Sequence, residues 1–167
     1  MRCGEVLALT PDDILDDASI SVNKNYEVVS GTEYILTPKT EKGNRVVTIP
    51  RSLYEKLEEF IAGMLLEHDE RIFYFGHGGL SGEFKRVTEK AGLPPIRLHD
   101  IRHSHVSMLV DMGFSIKEIA DRIGHESPET TWRIYSHLYP GKDRELADEL
   151  DKVRVRKKPN QAPDTGF

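Results

Sequence analysis

LHDIRHSHVSMLVDMGFSIKEIADRIGHESPETTWRIYSH, residues 98–137, decides how this chain of 167 residues is read. Apolar residues recur in it at helical spacing in three runs. Ile101, His105, Met108, Leu109 and Met112 line one face of a helix closed by Gly113. Ser115 begins a second helix with Ile116, Ile119 and Ile123, and Ser127-Pro128 begins a third with Trp132, Tyr135 and Leu138. The same stretch gathers polar chemistry. His99 and Arg102 are three residues apart, so a helix projects both from one face. His125 follows Gly124, and Tyr135 stands ten residues later. With Arg2 from the other end of the chain, the set is two guanidiniums, two imidazoles and a phenol. Such groups can grip a phosphodiester and attack it.

Outward from that stretch the pattern changes. Residues 3–9 read as the end of a helix stopped by Thr10-Pro11, with Thr10 and Asp13 offering a capping box for a short turn. Residues 19–22, 34–38 and 45–49 read as strands. A turn at residues 41–44 joins the last two as a hairpin, which predicts one small three-stranded antiparallel sheet. Helical spacing returns after Pro50 in Leu53, Leu57, Phe60, Ile61, Met64 and Leu65. The run at 71–75 ends in a His77-Gly78-Gly79 loop, and Ser81 caps a helix carrying Phe84 and Val87. Residues 143–153 form a last amphipathic helix with Leu146, Leu150 and Val153, and the basic, Pro-containing tail at 154–167 is expected to be disordered. The fold class is α+β and mainly α-helical.

A composition of 38% hydrophobic and 31% charged residues suits one globular domain with a real core. No apolar run approaches the roughly 18 residues of a membrane span, and the N-terminus has no signal-peptide pattern, so a cytoplasmic protein is expected. Cys3 is the only cysteine, which excludes an intramolecular disulfide and a thiolate zinc site. The net charge is −5; residues 151–167 hold five Lys/Arg against two Asp, leaving −8 on residues 1–150. That balance opposes generic nucleic-acid binding. Any phosphate contact has to be local, with Asp12, Asp13, Asp16 and Asp17 facing away while Arg2, Lys39, Lys85, Arg86 and Arg102 face the ligand.

Five strings occur in order: RCGEVLALT at 2–10, TPKTEKGNR at 37–45, LHDIRHSH at 98–105, IGH at 123–125 and TTWRIYSH at 130–137. In these the chain resembles the catalytic domain of the tyrosine recombinases, the phage integrase family. The resemblance covers residues 1–153 and implies that family's catalytic-domain fold. It implies site-specific DNA recombination or integration: strand cleavage and rejoining through a 3′-phosphotyrosyl intermediate, a type IB topoisomerase-like transesterification without cofactor or metal. Tyr135 is then the nucleophile, and Arg2 and Arg102 bind the non-bridging oxygens. His125 donates a hydrogen bond to them, His99 accepts the tyrosine's proton, and Lys39, ahead of Lys42, protonates the leaving 5′ oxygen. Glu5 orients Arg2 or lies in a solvated salt bridge. Double-stranded DNA and further copies of the chain, as a tetramer on DNA, are the implied partners. Because Arg2 follows Met1, the chain is expected to lack the family's first catalytic-domain helices and N-terminal DNA-binding domain, and to be weakly active or inactive alone.

Two other readings use the same residues. His99 and His103 spell H-D-x-x-H, near the zinc motif H-E-x-x-H, but Asp replaces the general-base Glu and Arg102 sets a fixed positive charge beside the ion. Residues 101–123, a helix, a Gly-containing turn and a helix, also fit a non-catalytic helix-turn-helix DNA-binding module or an inactive recombinase remnant. Neither requires Arg2, Lys39, His99 and His125 together.

Overall fold

A computed structural model describes residues 1–38, 41–138, 147–148 and 150–152. It begins with a short helix, α1 (Cys3–Leu7), whose N-terminus is closed by the Glu5 carboxylate accepting the Arg2 backbone N–H at 2.6 Å. The expected Thr10–Asp13 box follows, the Thr10 N–H donating to the Asp13 carboxylate at 2.9 Å over a 3₁₀ turn at Pro11–Asp13. Asp13 is therefore buried, paired with Lys24 at 2.8 Å, and does not share the exposed surface of Asp12, Asp16 and Asp17.

Five strands come next: β1 (Ile14–Leu15), β2 (Ser19–Val22), β3 (Asn25–Val29), β4 (Thr32–Leu36) and β5 (Arg45–Thr48). A three-stranded antiparallel sheet is present in the order β1-β2-β5, with Ile20 opposite both Ile14 and Val47. The expected hairpin between residues 34–38 and 45–49 is not. β4 pairs instead with β3, Tyr26 opposite Ile35, in a separate two-stranded ribbon. Its loop is Ser30-Gly31, at φ 52° and 82°. Positive φ at both central residues is the turn whose twist matches a hairpin, and it fixes the local partner of β4 before the more distant β5 can compete.

Helix α2 (Arg51–Ala62) packs Leu57 and Ile61 onto a core of Leu9, Ile20, Val22, Val47 and Ile72. Helix α3 (His77–Lys90) starts at His77, with Gly76 as N-cap, so the expected 77–79 loop and Ser81 cap are replaced by an earlier helical start. Helices α4 (Asp100–Asp111), α5 (Ile116–Ile123) and α6 (Pro128–Tyr135) form the second core from Val106, Leu109, Val110, Ile119, Ile123 and Tyr135. The caps at Ser115 and Ser127-Pro128 lie where expected.

The buried face of α4 is only partly the expected one. Leu109 is buried and His105 half-buried as expected, but Ile101, Met108 and Met112 are exposed, and Arg102, Val106 and Val110 are buried in their place. The true stripe is equally periodic but opens with a cation, which a hydrophobicity criterion rejects. Of the expected helix at 143–153, residues 147–148 and 150–152 are helical, and the rest lies outside the described residues, as does the 154–167 tail. No helix among the described residues is long and apolar enough to cross a membrane.

Candidate active site

Glu5 is the root of the site. It is 4% exposed in the first turn of α1 and binds two guanidiniums. Arg2 Nη1 donates to Oε1 at 2.9 Å. Arg45, from β5, lays Nη1 on Oε1 at 3.1 Å and Nη2 on Oε2 at 2.8 Å, the two-pronged geometry in which a guanidinium matches a carboxylate. Burial pushes the Glu5 carboxyl upward, but hydrogen bonds from Arg45 and Arg2 outweigh it and hold the pKa at about 2. Glu5 is thus a buried anchor, not a solvated ion-pair partner.

The second support is the C-terminus of α5. Gly124 closes it at φ 68°, with the His125 N–H donating to the Ala120 carbonyl at 3.0 Å and the Gly124 N–H to Asp121 at 3.3 Å. The next three carbonyls each receive one guanidinium. Arg45 Nε donates to Arg122 at 3.1 Å, Arg102 Nη2 to Ile123 at 2.5 Å, and Arg2 Nη2 to Gly124 at 3.0 Å. These are carbonyls that a helix cannot satisfy itself, at its partially negative end, so they offset some of the repulsion among three clustered cations. A side chain at Gly124 has no room, because its Cβ would stand 2.6 Å from Arg45 Nη1.

Burial, then the charge of Arg2, lowers Arg102 to about 10, which leaves it cationic at neutral pH. Its Nη1 is buried and lacks a hydrogen-bond partner among the described residues. An unpaired buried donor costs roughly 1–3 kcal/mol, more when charged, so this atom keeps unused hydrogen-bonding capacity inside the site. Beside His99 and Arg102 opens a groove of about 370 Å³, walled by Cys3, Val6, Leu80 and Ile101 among others.

His125 Nδ1 lies 2.8 Å from Thr131 Oγ1, a fully buried hydroxyl on α6. Burial, then the charges of Arg102 and Arg2, lowers His125 to about 4. It is neutral at pH 7; a proton donated by Thr131 to Nδ1 would put the ring proton on Nε2 and make that nitrogen a donor. Tyr135, the last residue of α6, is 5% exposed, and its hydroxyl is hydrogen-bonded to His103 Nδ1. Burial raises the phenol's pKa and Arg102 opposes the rise. His99 meets His103 edge-on, with ring centroids 4.9 Å apart. Burial and then His103 and Arg102 lower its pKa.

The structure thus brings together Arg2, Arg102 and His125 on the end of α5. It puts His103, not His99, against the Tyr135 hydroxyl. Lys39 lies outside the described residues. Lys85 and Arg86 are engaged locally with Glu89 and Glu83. The sequence gives Arg45 and Thr131 no role and places His103 only in the H-D-x-x-H alternative. Arg45 closes the quoted TPKTEKGNR string, and His103 directly follows Arg102, so both signals were adjacent to residues already singled out. Among the described residues no three His, Cys, Asp or Glu side chains converge to hold a metal ion.

Comparison with known proteins places these residues in a family context. The sequence model of the phage integrase family matches residues 1–142. The ICEBs1 integrase of Bacillus subtilis (strain 168) is 37% identical over 168 residues, covering 92% of this chain and 46% of the relative. A putative prophage phiRv2 integrase of Mycobacterium tuberculosis is 28% identical, covering 92% and 43%. The chain therefore spans about half the length of the curated relatives it matches. Among solved structures, the Tn1549 transposon integrase in complex with circular intermediate DNA superposes with a TM-score of 0.74 at 20% identity, covering 92% of this chain and 56% of that one. The XerA recombinase gives 0.64 at 22%, covering 92% and 52%. At these identities the likeness is one of fold.

Proposed function

The chain belongs to the phage integrase family, and from that premise we propose that it carries the catalytic centre of a site-specific DNA recombinase. The observation that carries the reading is the pairing of the Tyr135 hydroxyl with an imidazole on α4, next in sequence to Arg102, whose free Nη1 awaits an anion. A scissile phosphate binds with its non-bridging oxygens on Arg2, Arg102 and the Nε2–H of His125. Tyr135 Oη attacks phosphorus, its proton passes to the imidazole of His103, and the bond to the 5′ oxygen breaks. Lys39 gives that oxygen its proton. The product is a 3′-phosphotyrosyl link and a free 5′ hydroxyl; attack by a 5′ hydroxyl on the link reverses every transfer and rejoins DNA, so no ATP is consumed.

A phenol near pKa 10 is a poor nucleophile alone. The guanidiniums compensate by stabilising charge on the pentacoordinate phosphorus, the role a metal plays at many other phosphoryl-transfer sites. His99, expected from sequence to take the tyrosine's proton, backs His103 in this arrangement. Action on double-stranded DNA by several copies of the chain is part of the same proposal; the Tn1549 integrase, solved in complex with DNA, supports DNA as the partner.

The test is incubation of the chain, extended to the full length of its relatives, with a nicked suicide DNA, from which the cleaved fragment bearing the 5′ hydroxyl diffuses away. A covalent protein–DNA adduct that survives denaturation and excess EDTA is expected. DNA binding without an adduct would leave a helix-turn-helix binding module, and strand cleavage without an adduct, lost in EDTA and restored by zinc, would point to the H-D-x-x-H reading.

A further inference from the structure

We infer that Arg45 is a positioning residue of this site: one guanidinium that locks Glu5, the C-terminus of α5 and the turn following Lys39 into a single unit. The inference rests on the recombinase reading above. Among the described residues, Arg45 is the side chain whose bonds reach all three parts. Nη1 and Nη2 take both oxygens of Glu5, Nε takes the Arg122 carbonyl, and Nη1 also reaches the Gly43 carbonyl at 3.2 Å. Its side chain is 8% exposed, so it acts through these partners and not on a ligand in solvent.

Each connection has a consequence for a group that meets DNA. Glu5 holds Arg2, and the α5 end holds Arg2 and Arg102, so both phosphate-gripping guanidiniums depend on atoms that Arg45 fixes. Gly43 stands four residues after Lys39 along the chain, in the 3₁₀ turn Glu41–Gly43. Any dependence of the proposed general acid on that turn is what a change of leaving group reads. Lysine cannot substitute, since an ammonium lacks the planar fork that reaches a carboxylate and two carbonyls in different directions. The close fit of Gly124 against Arg45 adds that the α5 end is shaped around this guanidinium.

The test uses the chain extended to the full length of its relatives, with Arg45→Lys and Arg45→Met. On suicide DNA at saturating protein, Arg45→Met is expected to slow single-turnover cleavage about 100-fold while the DNA dissociation constant changes less than about threefold. Arg45→Lys should recover only part of the rate. The loss should shrink on DNA with a 5′-bridging sulfur, whose thiolate leaves without a proton. Arg45→Met should also gain an acid limb in its pH–rate profile, because Glu5 then keeps only Arg2 as a direct partner, with Arg102 and the Met1 amine the other charges near it. That limb should vanish in the Arg45→Met, Glu5→Gln double variant. Full activity in Arg45→Lys, or a rate loss equal on both substrates with no acid limb, would overturn the inference. Carbon-13 NMR of the Glu5 carboxyl gives a readout without catalysis: a midpoint raised by at least one pH unit in Arg45→Met supports the locking role, and an unmoved midpoint refutes it. Absence of any adduct in the unsubstituted chain would instead sink the recombinase reading, leaving the NMR result to judge Arg45.

Discussion

The guanidiniums of Arg2, Arg45 and Arg102 are fastened from α1, β5 and the end of α5, with Arg2 and Arg45 also sharing the Glu5 carboxylate. Tyr135, by contrast, ends its helix with a hydroxyl that meets one imidazole. In the proposed reading the phosphate-gripping half is hydrogen-bonded from several elements before any ligand arrives, whereas the proposed nucleophile, packed in the helical core, has its hydroxyl aimed at one imidazole. Electrostatic stabilisation works best when its dipoles need not reorganise, so rigidity belongs with the arginines. A nucleophile that has to approach phosphorus and later leave it gains from a lighter hold. Damage to the two halves should therefore separate stability from chemistry.

The largest stability loss is expected from Glu5→Ala, which strands two cations in and around a buried site. Removing one partner of a buried pair costs about 3–5 kcal/mol. Urea unfolding should show it, and a loss below about 1 kcal/mol would mean the arginines are braced without Glu5. Next is acid sensitivity. Glu5 is held at about 2 against an ordinary 4.5, so its ionisation contributes stability that is fully present above about pH 4.5 and is lost as the pH falls toward 2. The amount is roughly 3 kcal/mol by linkage. In Glu5→Gln that slope between pH 4.5 and 2 should flatten, and an unchanged slope would assign it to other carboxylates.

Gly124→Ala should cost about 1–3 kcal/mol through backbone strain at φ 68°. The contact with Arg45 should also lower cleavage more than the stability loss alone predicts, which a comparison of thermal midpoint with single-turnover rate checks. The smallest stability effect belongs to the other half. His103→Ala should change unfolding free energy by no more than about 1.5 kcal/mol yet slow adduct formation by about 10²–10⁴-fold. If His99→Ala gives that loss and His103→Ala does not, the proton acceptor is His99.

The sequence made one side of this contrast visible and hid the other. Helices α5 and α6 announce themselves through local signals, a Ser115 cap with Glu118 three residues on and Pro128 after Ser127. Arg2, Arg102, His125 and Tyr135 stand in short strings that can be matched one by one. What holds them is long-range. Arg45 reaches Glu5 across 40 residues and the Arg122 carbonyl across 77, and no local pattern encodes that. Strand pairing failed for the same reason: β5 pairs with β2 across the intervening β3–β4 ribbon. The face of α4 differs from the apolar expectation because it buries Arg102 against the Ile123 carbonyl, 21 residues away, which a count of apolar residues leaves out.

The most direct measurement is tryptic mass spectrometry of the adduct formed on suicide DNA. The account predicts a nucleotide phosphate on Tyr135, with no adduct in Tyr135→Phe, whose DNA affinity and thermal midpoint stay close to those of the unsubstituted chain. A phosphate on another residue, or an adduct that persists in Tyr135→Phe, would contradict it.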